Sequence, residues 1–227
     1  MFAFQLFSVM SSAALLVSGA PAHGKDNCCD LAAAKMDLPA NQTTLVAPTT
    51  APLFVALGVG IQNYTCSSTT LKYTSTGAVA SLFDISCIDN TPAFATIQQT
   101  AFNAWNAVST DVPATLIGSR VATPNLLGFH YFVTSPSGTG ISPKWDFTST
   151  GKFAGNASAF VLGAKTGDLP APTAPTTNVD WLSLKNVAGS LASSIFRVDT
   201  VNGQPPSSCV AGSADISVKY TTKYYLY

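Results

Sequence analysis

Two histidines, His23 and His130, are the side chains of this sequence best suited to acid–base or metal chemistry. His23 follows Ala22, and cleavage of a leader after Ala22 would make it the first residue of the mature chain. An N-terminal histidine binds Cu(II) through its α-amine and one ring nitrogen. His130 would then be the second imidazole of a copper brace doing oxidative chemistry. The same His130 is the one candidate base for a hydrolase site in the body of the chain, but no G-x-S-x-G nucleophile elbow accompanies it. Its neighbours Phe129, Tyr131 and Phe132 account for it equally well as a ring packed among rings. The acids are eleven aspartates and no glutamate. Asp84 and Asp199 fall in strand-like runs, and Asp199 joins His130 as a catalytic candidate. Glycoside hydrolysis needs two carboxylates flanking the bond, and no spacing marks such a pair. The expectation is no cofactor, with copper at His23 and His130 as the alternative, and no catalysis rather than catalysis.

Gly58-Val59-Gly60-Ile61-Gln62-Asn63 begins like a dinucleotide fingerprint. The third small residue is replaced by Asn63, and Tyr64-Thr65-Cys66 follows where a helix must present its N-terminus to a pyrophosphate. Nicotinamide binding is therefore not expected. Stacking is the remaining chemistry: Trp105, Trp145 and Trp181 could offer faces to sugar rings. Trp105 fits a buried helix face, whereas Trp145, between Lys144 and Asp146, reads as the exposed one.

The elements that would position these residues belong to an extracellular chain. Charged residues make up only 10% of the 227, against roughly 25% in an average soluble protein, and the net charge is zero. Such a surface has no counterion-release term for nucleic acid and no basic patch for anionic lipid. Its 24 serines and 26 threonines carry the polarity instead. Residues 1–22 are uncharged and apolar and close on Ala20-Pro21-Ala22, the shape of a signal peptide. Secretion, an extracellular location and a monomer follow as expectations. Asn41, Asn63 and Asn156 head glycosylation sequons. Five cysteines lie at 28, 29, 66, 87 and 209, so two disulfides form and one cysteine is left over, Cys28 or Cys29.

Residues 23–52 read as an extended lead-in, with a short helix at 29–36 as an option, and 53–227 as one β-rich domain. Eight β-type runs, at 53–66, 78–85, 127–133, 144–148, 159–162, 181–187, 195–201 and 215–227, are separated by Gly, Pro, Ser and Asn. They predict an antiparallel β-sandwich or barrel, with a bulge near Gly58 or Gly60 in the first run. Apolar residues at 94, 97, 101, 102, 105 and 108 break the pattern. With Thr91 as cap and Pro92 after it, they predict one amphipathic helix over 92–109 packed on the sheet.

Several blocks carry a resemblance: Gln62-Asn63-Tyr64-Thr65-Cys66, Ser86-Cys87, His130-Tyr131-Phe132, Trp181-Leu182-Ser183-Leu184 and Arg197-Val198-Asp199-Thr200. Together they resemble a family of secreted proteins, mostly fungal, catalogued as a domain of unknown function, over about residues 29–227. The resemblance implies secretion, a single domain and paired cysteines at 29, 66, 87 and 209. Members are often labelled malate dehydrogenase, a label that the failed fingerprint does not support. Cys66 ends one strand and Cys209 precedes the last, which favours Cys66–Cys209 with Cys29–Cys87. The function expected is that of an extracellular or cell-wall protein that binds glycan. A copper enzyme at His23 and His130, and a hydrolase near His130, are the alternatives.

Overall fold

The computed structural model describes residues 29–121 and 125–227. Its strands are β1 (Phe54–Ser67), β2 (Lys72–Asp84), β3 (Leu126–Thr134), β4 (Ile141–Asp146), β5 (Phe160–Leu169), β6 (Trp181–Ala188), β7 (Ser194–Asn202) and β8 (Ile216–Leu226). Each pairs antiparallel with its chain neighbours, and β1 also pairs with β8, so the sheet closes into an eight-stranded up-and-down barrel. Closure leaves no unpaired edge. All eight predicted runs are strands, and of the two predicted architectures the barrel is the one formed.

Side chains alternate across the barrel wall. Phe54, Ala56, Leu82, Leu127, Trp145, Val161, Leu184, Ile195 and Tyr224 come from eight different strands and form one buried cluster, which can only be the lumen. Val55, Leu57 and Val59 point the other way, into a second cluster with Phe94, Trp105 and Ala114. That is why the first strand reads as a continuous apolar run: its outer face is covered by helices.

The covering helices are α1 (Pro92–Asn106) and α2 (Ala114–Val121). The Thr91 hydroxyl caps α1 by accepting from Phe94 N, and Pro92 opens it. Trp105 Nε1 donates to Gly60 O at 2.8 Å, pinning the end of α1 to the barrel. The predicted single helix is thus the main one, ending three residues early. The second helix was not foreseen. It is held by Ser81 Oγ, which donates to Ala114 O and accepts from Gly118 N, and Gly118 allows Leu126 to pack close.

Two local expectations are corrected. Residues 29–36 make a turn rather than a helix, because Asp30 Oδ1 accepts from Ala32 N and diverts the backbone. The bulge near Gly58 or Gly60 lies instead at Asn63/Tyr64, with the extra residue on β2. Gly58 and Gly60 stay in regular register and supply space: a Cβ on Gly58 would meet the Tyr224 ring at 2.6 Å, and one on Gly60 would meet Val79 O at 2.1 Å.

The lead-in lies against the barrel, burying Leu31, Ala34, Met36 and Leu45 in the outer cluster. Disulfides join Cys29 to Cys87 and Cys66 to Cys209, with Cα separations of 4.8 and 6.1 Å. Cys28 lies outside the described residues, as do the predicted leader and His23.

Candidate functional site

The two catalytic candidates of the sequence stand on opposite sides of the barrel wall. His130 on β3 faces the lumen and is 2% exposed. Its ring stacks on Trp145 at 4.5 Å, and Phe132 and Tyr224 close around it. Nδ1 lies 2.9 Å from Lys144 O, and a carbonyl can only accept, so the neutral ring carries its proton there. Burial holds the His130 pKa down to about 3, with the Arg197 charge acting in the same direction against that hydrogen bond. No carboxylate bonds to this histidine among the described residues.

Asp199 sits on the outer side, in a bulge of β7. Val198 pairs with Lys223 and Val201 with Thr221, so Asp199 and Thr200 together oppose Thr222. Asp199 takes a left-handed φ of 52°, a conformation that non-glycine residues seldom hold outside functional or over-determined sites. Its Oδ2 bonds Lys223 Nζ at 2.9 Å. Lys223 is 3% exposed and stands 4.3 Å over the Phe94 ring, so the aspartate is its charge partner in the wall. Asp84, the other candidate, pairs with Lys152 at 2.8 Å.

The bulge opens onto a cleft of about 420 Å³. Five separate segments build it: Asp37 and Pro39 of the lead-in, Gln98 and Gln99 of α1, the 172–178 loop, Trp181, and Asp199–Val201. Its polar groups include acceptors that lack a protein donor. Gln98 Oε1 is buried without a donor, because the side-chain Nε2 turns back to Ala95 O and Thr221 Oγ1 takes the backbone carbonyl. Asp199 Oδ1 and the Asp37 carboxylate also lack a protein donor among the described residues.

The lumen itself is polar over the half nearest the start of β8. Gln62, Tyr64, His130 and Tyr220 face it, and so does Arg197, which pairs with the inward Tyr224. Arg197 Nε and Nη2 both donate to Asp180 O, at 3.0 and 2.8 Å. Tyr64 donates to Gly203 O at 2.7 Å, and burial pushes its pKa up to about 12.

The tryptophan expectation is corrected. Trp145 is 2% exposed and lines the lumen, and Trp105 and Trp181 are buried as well. The signal was present: in a strand reading Lys144-Trp145-Asp146, two charged neighbours that face water force the ring between them to the other side. Outside, Lys144 Nζ and Tyr131 Oη both donate to Asp146 Oδ2, at 2.8 and 2.6 Å, while Thr148 serves Oδ1. Burial alone would raise Asp146; these hydrogen bonds outweigh it and hold the carboxyl well below its usual range. Asn41 and Asn156 are exposed; Asn63 is half-buried, its Oδ1 accepting from Ser217. Among the described residues no cluster of three His, Cys, Asp or Glu side chains could hold a metal ion.

These features define a disulfide-bonded eight-stranded barrel domain with a polar cleft on its wall and a polar half-lumen. Gly58 and Gly60 lie mid-strand, paired on both sides, with no helix N-terminus after them, which removes the structural basis of a dinucleotide site. The chain belongs to the family described as a protein of unknown function (DUF3455), whose model it matches over residues 47–227. No curated protein and no solved structure matches it.

Proposed function

We propose that this is a secreted, extracellular or cell-wall protein that binds glycan without transforming it, and that the cleft at the β7 bulge is where the sugar sits. The observation that carries the reading is the surplus of acceptors there. Asp199 Oδ1 and the Asp37 carboxylate, in the lining of the cleft and without a protein donor among the described residues, call for a ligand that brings hydroxyl donors. A neutral polyol does so without a charge of its own. The volume of the cleft falls in the range of small-ligand sites, and Trp181 in its lining brings an aromatic ring to the site. Two disulfides, the leader-like N-terminus and the exposed sequons at Asn41 and Asn156 support the extracellular setting. No described helix is long and apolar enough to cross a membrane.

The test is a glycan array with secreted full-length protein, followed by calorimetric titration of the best oligosaccharide. Gln98→Ala and Asp199→Asn are expected to weaken binding about tenfold each, the size of one to two buried hydrogen bonds. Silence across neutral glycans and wall polysaccharides, or affinity unmoved by both substitutions, sinks the proposal. His130→Phe, on the far side of the wall, leaves glycan affinity unchanged.

A further inference from the structure

A cavity of about 340 Å³ lies between the two helices and the outer wall of the barrel. Leu57 and Val59 of β1 and Phe83 of β2 make its floor, and all three are buried. Ala101, Ala104 and Trp105 of α1 form one side, and Ile117 of α2 forms the other. It opens to solvent along α1, where Ala104 and Val108 are exposed. The lining offers nothing to a polar ligand. Every lining side chain is hydrocarbon except the indole of Trp105, whose Nε1 is already committed to Gly60 O at 2.8 Å. The carbonyls of Trp105 and Val108 accept from Lys219 Nζ. Unlike the β7 cleft, this cavity has no acceptor waiting for a donor and no charged residue in its lining.

Ordinary packing does not leave such a space, since protein interiors keep few voids larger than a water molecule. Each helix is tied to the barrel by its own hydrogen bonds, α1 through Trp105 to Gly60 and α2 through Ser81 to Ala114 and Gly118. The walls therefore stand without an occupant. Alanine at 101 and 104 keeps the room open: leucine is nearly as good a helix former and would fill it. The residues interleaved with the lining along the end of α1, Asn103, Asn106, Ser109, Thr110 and Asp111, are polar and exposed. That boundary suits a molecule that enters the cavity. It does not suit a protein laid across it, whose contact would need about 800 Å² per partner.

An apolar cavity of roughly 150 Å³ takes up one benzene. We propose that this larger cavity binds a single small uncharged apolar molecule, a hydrocarbon-like ligand of about ten to twelve carbons. Removal of apolar area from water, on the ligand and on the lining alike, drives the binding. The site is separate from the glycan cleft and shares no lining residue with it.

The experiment is titration of the full-length secreted protein with N-phenyl-1-naphthylamine, an uncharged dye whose emission rises in apolar surroundings. The bound dye is then displaced with naphthalene or with 1,5-naphthalenedisulfonate. The dye is expected to saturate at one per chain, and naphthalene to displace it. The disulfonate, which cannot enter without desolvating a charge, is expected to displace it about tenfold less well or worse. Ala101→Leu and Ala104→Leu are each expected to cut dye affinity by about tenfold or more, because the room is gone. Thermal unfolding of the unliganded variants is expected to stay at the wild-type midpoint or rise, as cavity filling does elsewhere. Either leucine tests the site if the other variant fails to fold. No saturable dye binding, several dyes per chain, equal displacement by the disulfonate, or affinity indifferent to both leucines overturns the proposal. So does a concentration-dependent dimer in sedimentation that both leucines abolish, which gives the cavity to a second copy of the chain. Both leucine variants are expected to keep glycan affinity, so this site and the cleft stand or fall separately.

Discussion

The two halves of the barrel lumen are built on the same eight strands and obey opposite rules. At the end where β1 begins, Phe54, Leu82, Phe147, Ile195 and Leu226 fill the space with hydrocarbon, and ring contacts such as Phe54 with Phe147 at 5.4 Å set the packing. Towards the other end the same inward positions carry Gln62, Tyr64, His130, Arg197 and Tyr220. The contrast teaches that one half is closed by hydrocarbon packing and the other by rings and hydrogen bonds, such as Tyr64 Oη to Gly203 O and the pair Tyr220 with Tyr224.

The largest expected effect lies in the dry half. Phe147 is 0% exposed and touches Phe54 and Phe153. Phe147→Ala removes the ring and leaves a void, which costs about 3–5 kcal/mol in cores of this kind. Urea denaturation checks it; a loss below about 1 kcal/mol would show that this end is not the half that holds the barrel shut.

His130 gives the next effect and marks the border between the halves. Its folded pKa is about 3, below the ordinary 6.5, because the buried ring resists charging. The unfolded chain therefore takes up a proton that the native state refuses. Stability is full above pH 6.5 and falls as the pH drops towards 3, by about 2 kcal/mol between pH 7 and pH 5. Few carboxylates titrate in that window, and Asp180, whose pKa is raised by its own burial, acts in the opposite sense. His130→Phe should flatten the curve between pH 7 and 5 whatever it does to stability at pH 7. A curve that keeps its slope assigns the effect elsewhere.

The strands of both halves were legible from period and punctuation, and so were the main helix and its Thr91 cap. Closure was not, because β1 and β8 are about 160 residues apart in sequence and nothing local distinguishes a barrel from a sandwich. The helix α2 escaped because it is eight residues long with a glycine inside, too short for a period to show. Gly58 and Gly60 looked like a bulge or a phosphate loop, whereas the space they leave is filled by Tyr224 and by the backbone of β2. Asp199 and His130 were readable as candidates, but their separation by the wall follows from strand register and not from residue type. The cleft could not be read at all: Asp37, Gln98, Trp181 and Asp199 lie on four segments, and no two share a motif.

The smallest expected effect is the sharpest test of the comparison. Gln62 is 5% exposed, points into the polar half, and its Nε2 has no acceptor. If the amide were part of a satisfied network, Gln62→Leu would cost the 1–3 kcal/mol that accompanies a broken buried hydrogen bond. If the donor is unmet, leucine of similar size removes an unfavourable burial and adds apolar contact. Stability should then stay within about 1 kcal/mol of wild type or rise. Urea denaturation of wild type and variant reads the difference. A large loss would make the polar half a closed network like the dry half, while a neutral or stabilising substitution keeps the two halves distinct.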